Sequence, residues 1–534
     1  MWNYHHMSSK KFLLFIPYRN KKYKWERKLC IHGICSTSSR HDGIGISDES
    51  VVIKQADTKR RHLLFLSPTL WPQPNASAAG VRTAALLQHF ASPNQNLFEQ
   101  IHYGCGLEKD HSTITIPGVQ MHHLPPNRSE QFLQFLHRDG LDGTLRAVVF
   151  DRFFAEEAYS FYFQGRGRGR DGKMSDVLRV LDMQDMHSLR YHRQNLVETM
   201  DNMDRFGGGL DHLSSGSGSR IVDGFPMVDI FDRGKEKSSK NSSMTLLREL
   251  AAIHRSDLTL VCSSFELDLL IDEYGIPRDK LVLAPFFTNN VEECQAPSHS
   301  FETRRDFVSL GGFKHPPNVD QVICLKKHIW PQIKKKIPDA KLHIYGSYSP
   351  PRIQQLHDAK SGFLVHGYVD DLALPLRRCR VMLAPLRYGA GVKGKVVDAW
   401  RYGCPVVTTS IGAEGIGLVH QQQQEECDEM PNDMNWGGSV ASDNQSFIQS
   451  AINLYSDKTQ WMKSQSSARL LLKTLFDAET NLKVVDDAIA NAVDDVHSRR
   501  RRDYTSGMLW HHSTRSTEYF SRWIELKESL RKEE

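Results

Sequence analysis

The chain has 534 residues, 40% of them hydrophobic and 25% charged, with a net charge of +5. That length accommodates two or more domains with sizeable cores, and so small a net charge gives no case for a nucleic-acid or membrane surface on composition alone. Nine cysteines, an odd number with no paired CxxC spacing, rule against a disulfide framework and predict reduced thiols, several of them on strands.

In chain order, residues 1–40 carry nine Lys or Arg against the single acidic Glu26, within a basic extension that runs to about residue 60. This composition suits either a transit peptide or an unstructured basic leader, which gives a cytoplasmic protein, or a plastid or mitochondrial one if the segment directs import. Phe12–Ile16 is flanked by charge, and no run approaches the roughly 20 apolar residues of a membrane span, so no transmembrane segment is expected.

The first predicted strand is Leu63–Leu66, followed by the loop Ser67–Pro74 and by Ala78-Ala79-Gly80, which opens a helix. Further strands are expected at Val119–His122, Ala147–Phe150, Val177–Leu181, Leu258–Cys262 and Leu281–Leu283, with helices or loops between. Such alternation predicts a parallel sheet covered on both faces, here a domain spanning residues 61–288. A glycine-, serine- and lysine-rich insertion at about 201–243 reads as disordered, and the Gly165–Arg170 tract, with no interleaved aromatic residues, as a solvated loop. Nucleic acid is therefore not an expected partner.

The polar segment 289–305 suits a connector. A second domain, 306–476, repeats the pattern with strands at 307–310, 341–345, 363–366, 381–384 and 405–409, and has an insertion at about 420–436 with a glutamine run and five acidic residues within 421–435. Residues 477–534 form C-terminal helices and a tail. Arg499–Arg502 reads as a solvated helix face, and Trp510, Tyr519, Phe520 and Trp523 either dock on the core or meet a partner.

The most telling stretch is 380–415. A buried strand, Val381–Ala384, runs into the turn Gly389-Ala390-Gly391; Lys393 and Lys395 follow at a helix entrance, and Gly403 ends that helix before the strand Pro405–Val407. Glycines let the backbone approach a ligand, and a helix N-terminus favours phosphate. Asp398 lies one turn beyond Lys395, where a sugar hydroxyl is within reach.

This block, together with Phe307–Gly312, Lys341–Gly346 and His366–Asp371, resembles the donor-binding half of the retaining GT-B glycosyltransferases of family 4, also called group 1. The likeness covers most of residues 60–490 and implies two Rossmann-like doubly wound parallel-sheet domains facing across a cleft. In that family the last block has two glutamates eight residues apart, one on the donor sugar and one on the ribose. Here the second is Asp398, and Gly389-Ala390 stands where the first belongs, in a Gly-Ala-Gly-Val-Lys-Gly-Lys form that looks like a sub-branch. The usual Arg/Lys pair for the diphosphate is not matched by Phe313–Asn318, so Lys393 or Lys395 is expected to supply that charge.

The resemblance implies donor contacts from Gly311, Gly312, Gly389, Gly391, Lys393, Lys395, Asp398 and Glu414, and a diphosphate or acceptor loop at Gly80 and Arg82. Asp185 and His187 follow the strand 177–181, where the family often places a group that contacts the donor sugar; they are the catalytic candidates, with loop orientation as the other reading of the histidine. The implied function is transfer of a sugar from a nucleotide-diphosphate-sugar donor to an unidentified glycan, lipid or small-molecule acceptor, with retention. No DxD pair stands beside the proposed diphosphate loop, so neither metal nor cofactor is expected. The alternatives are an epimerase or phosphorylase on the same fold, separable by release of free nucleoside diphosphate with an acceptor, and a catalytically silent binding protein.

Overall fold

A computed structural model describes residues 61–73, 77–109, 113–164, 173–205, 237–288, 300–416 and 436–533. The basic N-terminal extension, the 165–170 tract, most of the connector and most of the acidic insertion lie outside them.

Seven strands form the first sheet: β1 (His62–Ser67), β2 (Gln100–Cys105), β3 (Val119–His123), β4 (Leu145–Asp151), β5 (Leu178–Asp182), β6 (Leu258–Val261) and β7 (Leu281–Leu283), in spatial order 3-2-1-4-5-6-7. Every neighbouring pair is parallel. The second sheet, β8 (Phe307–Leu310), β9 (Leu342–Tyr345), β10 (Phe363–Gly367), β11 (Val381–Ala384), β12 (Val406–Thr409) and β13 (Gly438–Ala441), runs 10-9-8-11-12-13 and is also fully parallel. Each sheet is buried on both faces, which is why β1, β5, β8, β11 and β12 read as almost unbroken apolar runs. This is the GT-B arrangement.

Two strands escape the sequence reading. β2, Gln-Ile-His-Tyr-Gly-Cys, and β13, Gly-Ser-Val-Ala, alternate polar and small residues and have no run long enough to mark them. Residues 201–205 and 237–243, expected in a disordered insertion, are helical. The first group closes the helix His187–Arg205; the second opens Lys237–Arg255, whose buried Leu246 and Ile253 pack it and let the helix propagate back through lysine and serine. Residues 444–475 form two helices, Asn444–Ser456 and Lys458–Leu475, because Asp457 leaves helical geometry and caps the second with its carboxylate.

The chain crosses between the sheets twice, and the crossings touch. Thr288 donates its N–H and its hydroxyl to the Phe476 carbonyl, both at 2.8 Å, and pairs with Asp477. Beyond Asp477 the helix Ala478–Asp494 returns to the first sheet, inserting Val485, Ile489 and Ala492 beside Leu63, Phe65 and Ile101. Arg500, within the run expected as a solvated face, turns inward: its guanidinium holds Asp257 at 2.6 and 2.7 Å and the Val177 carbonyl at 2.8 Å. Cys105, Cys262, Cys324, Cys379 and Cys404 are buried.

Candidate active site

The carboxyl ends of β1, β4, β5 and β6 face those of β8, β11 and β12, where ligands of open α/β sheets bind. On the first-domain side, Asp182 ends β5 fully buried in an ion pair with Arg82 of the helix Ala78–Phe90. Arg82 also gives its Nε and Nη2 to the Ala284 carbonyl at 3.1 and 2.9 Å. Its guanidinium is thus spent within the domain, tying the helix to the end of β5 and to the loop after β7. Gly80 donates to Ser77 Oγ at that helix's N-cap. Asp151, at the end of β4, accepts from Ser67 and Arg152 at 2.9 and 2.7 Å.

Past β5 the chain turns through Gln184, at φ +63°, and delivers Asp185 and then His187 at the start of the helix His187–Arg205. The Asp185 carboxylate pairs with Arg190 and lies 3.4 Å from the His187 ring. Burial raises its pKa, but Arg190 and His187 outweigh that and hold it below the usual carboxylate range. His187 packs against the rings of Phe153 and Tyr191, and burial, opposed by Asp185, lowers it to about 4. It is therefore neutral near pH 7, ready to share or accept a hydrogen bond.

The helix start carrying these groups is held by Glu249, a fully buried carboxyl on Lys237–Arg255. It accepts from the backbone N–H groups of His187 and Ser188 at 2.7 and 3.2 Å and from the Ser188 hydroxyl at 2.5 Å. A second buried carboxyl, Glu266, reaches across the cleft. Its Oε1 accepts from Met186 N–H at 3.1 Å and from Gly391 N–H of the second domain at 2.8 Å, while Oε2 lacks a hydrogen-bond partner. Burial, reinforced by the Asp185 charge, pushes Glu266 up to about 8.

On the other side, the glycine turn after β11 enters the first domain. Ala390 joins the first domain's core, and Gly391, at φ +64°, sits so close to Asp185 that a Cβ there would lie 2.8 Å from the Asp185 Cβ. Lys393 is the N-cap of the helix Gly394–Arg401 and donates to the Gly391 carbonyl. Lys395 donates to Asn318 and Gln321 of the helix Pro316–Cys324, at 2.5 and 2.8 Å. Burial lowers both lysines, Lys395 to about 7 with Lys393 adding to the effect. Gly311 and Gly312 form the loop between β8 and that helix; the Gly312 carbonyl accepts from Asn318 at 2.8 Å. His315, the N-cap residue, is lowered to about 4, by burial first and then by Arg190, Lys395 and Lys393, with Asp185 opposing.

Asp398 lies one turn beyond Lys395 and pairs with Arg401 at 3.8 Å; burial raises it to about 6. Glu414, after the short helix Ser410–Ala413, takes a bidentate pair from Arg193 at 2.8 Å for each bond, and the same guanidinium donates to the Gly389 carbonyl at 3.0 Å. Farther along, Arg387 bridges Asp201 of the first domain and Asp320 of the second.

The structure thus gathers Asp185, His187, Lys393, Lys395, Gly389, Gly391, Glu414 and the Gly311-Gly312 loop at one interdomain cleft. Arg82 is withdrawn behind it, and Asp398 faces along its own helix. Sequence reading missed Arg190, Arg193, Glu249, Glu266 and the part played by His315. Two signals were available: Arg190, Arg193, Val197 and Asp201 recur at helical spacing and all face the second domain, and Ser263-x-x-Glu266 has the spacing of a helix start. Among the described residues, no group of three or more His, Cys, Asp or Glu is arranged to hold a metal ion.

Residues 304–457 match the family described as glycosyl transferases group 1. An uncharacterised 44.6 kDa protein in the cps region of Klebsiella pneumoniae is 33% identical over 122 residues, a segment that covers 21% of this chain and only 31% of that protein. Among solved structures, Anabaena HepE in complex with UDP and glucose superposes with a TM-score of 0.51 at 11% identity, over 80% of this chain and 99% of HepE. HepE in complex with UDP-glucose gives a TM-score of 0.50 at 13% identity, over 80% and 98%. At such identities these likenesses establish the GT-B fold, and the family match over the second domain supports sugar transfer. No helix among the described residues is long and apolar enough to cross a membrane.

Proposed function

We propose that the chain transfers a sugar from a nucleoside-diphosphate sugar to an acceptor hydroxyl, with retention and without a metal. The observation that carries this reading is the convergence of Arg190, His315, Lys393 and Lys395, together with the N-terminus of the helix Gly394–Arg401, at the interdomain cleft. As the glycosidic bond breaks, charge gathers on the departing diphosphate, and fixed amides and ammonium groups aimed at that place lower the barrier. Lys393 and Lys395 take the part of the missing basic pair. Asp185, paired with His187, lies against Gly391, where the sugar end of the donor meets the acceptor side.

One feature supports Glu414 as a sugar-side contact: Arg193 fixes its carboxylate and at the same time holds the Gly389 carbonyl of the glycine turn. UDP and UDP-glucose, bound by HepE, lead the list of probes. Thermal stabilisation by a nucleoside diphosphate or its sugar is expected in the wild type and is expected to fall away in Lys393→Ala/Lys395→Ala. Unchanged stabilisation in that variant removes the proposed diphosphate site, and no stabilisation by any nucleotide removes the transferase reading.

A further inference from the structure

The C-terminal helix Tyr504–Glu533 is amphipathic the wrong way round. Its inward face is polar: Ser506, Thr514 and Ser521 are 4% exposed or less, and it is fastened by polar contacts. The Arg179 guanidinium stacks on Trp510 at 3.7 Å, Arg255 donates to Ser513 at 3.1 Å, Glu525 accepts from Ser129 N–H, and Arg128 pairs with Glu528 at 2.6 Å. Its outward face holds Tyr519, Phe520, Trp523, Leu526 and Leu530, each between 52 and 68% exposed, an apolar stripe about 17 Å long at 1.5 Å per residue. Soluble surfaces seldom leave such a stripe uncovered.

Charge identifies what covers it. Among the described residues, the charged side chains exposed beside the stripe are Arg515, Lys527, Arg531 and Arg522, the last of them paired with Glu518. Of the carboxylates described in the same segment, Glu518 pairs with Arg522, Glu528 with Arg128, and Glu525 accepts from Ser129 N–H. An apolar face flanked by cations meets like charge in a second copy of itself. It matches an anionic lipid surface, into which Phe520, Leu526 and Leu530 insert while Tyr519 and Trp523 sit at headgroup depth. Lys527, whose ammonium lies 4.8 Å from the Trp523 ring centroid, then reaches up to the lipid phosphates. We propose that this helix docks the protein, lying flat, on membranes that contain acidic lipid. The proposal stands independently of the sugar-transfer reading.

The test is co-sedimentation of the full chain with vesicles of phosphatidylcholine alone and of phosphatidylcholine with about one third phosphatidylglycerol, with tryptophan emission as a second readout. Partition onto the acidic vesicles is expected to be at least about tenfold stronger, weakened by salt, and lost in Phe520→Ser/Trp523→Ser and in Arg522→Glu/Lys527→Glu. Because those side chains are exposed, thermal unfolding of both variants is expected to match the wild type. Absence of binding to acidic vesicles by a normally folded wild type overturns the proposal. So does a concentration-dependent dimer abolished by Phe520→Ser/Trp523→Ser, which assigns the stripe to a second copy, or capture by an acidic polypeptide with no affinity for vesicles.

Discussion

Glu266 of the first domain accepts a hydrogen bond from the Gly391 backbone N–H of the second at 2.8 Å, so the turn that enters the cleft is gripped by a carboxyl from the opposite side. The same oxygen holds Met186 N–H, one residue from Asp185. One buried acid therefore sets the spacing between the catalytic candidates and the glycine turn.

Replacement of Glu266 by alanine leaves two N–H donors without their acceptor and is expected to cost about 2–4 kcal/mol in denaturant unfolding. Glu266→Gln keeps an acceptor and is expected to stay close to the wild type near neutrality. The two proteins should diverge with pH. The folded-state pKa of about 8 exceeds the ordinary 4.5, so the folded state holds the extra proton between those values, and this group's contribution to stability declines as pH rises from about 4.5 through 8. The difference in midpoint between wild type and Gln variant should follow that slope; a pH-independent difference removes the role assigned to this proton.

Lys395 gives the opposite sign. Its folded-state pKa of about 7 lies below the ordinary 10.5, so the unfolded chain holds more protons between those values, and the group's penalty on folding is relieved as pH rises through that window. An arriving diphosphate restores the charge. Binding should therefore take up a proton above about pH 7 and weaken as pH rises further. Calorimetry in buffers of differing ionisation enthalpy reads the uptake directly, and Lys395→Arg should abolish it.

Gly391→Ala places a Cβ on a residue at φ +64° and against Asp185. The backbone term alone is about 1 kcal/mol, and the contact must be relieved by moving the turn or Asp185. We expect modest destabilisation with a much larger loss of kcat/KM, about a hundredfold for a displacement near 1 Å, measured as sugar release or transfer once the donor is known. Equal proportional losses in stability and activity assign the glycine to folding alone.

Arg193→Ala strands the Glu414 carboxylate within the interface, at an expected cost of about 3–5 kcal/mol, and Glu414→Ala strands the guanidinium similarly. The double variant should recover much of that loss. Additive losses in the urea midpoints of the cycle disprove direct coupling across the cleft.

Much of this architecture is legible in the amino-acid order because parallel strands buried on both faces leave runs such as Leu63–Leu66 and Val381–Ala384, with glycine and lysine marking the turn at 389–395. β2 and β13 are silent because His102, Gly104 and Ser439 interrupt any run, although their neighbours pair with them throughout. Glu249 and Glu266 are silent for another reason. Each lies on an ordinary amphipathic helix, and its partners are 61 to 125 residues away in sequence, so only the closed fold discloses what the carboxyl touches. Arg82 reads as a loop cation and becomes structural once Asp182 comes to rest against it.

The paired crossings at Thr288 and Phe476 have a mechanical consequence. The first domain ends at Thr288 against the return crossing at Phe476, stitched to it by the two Thr288 bonds, whereas the Arg193–Glu414 and Arg387–Asp201 pairs tie the domains from the helix His187–Arg205. Any separation of the domains would leave the Thr288–Phe476 seam as its pivot and would have to break the Arg193–Glu414 and Arg387–Asp201 pairs.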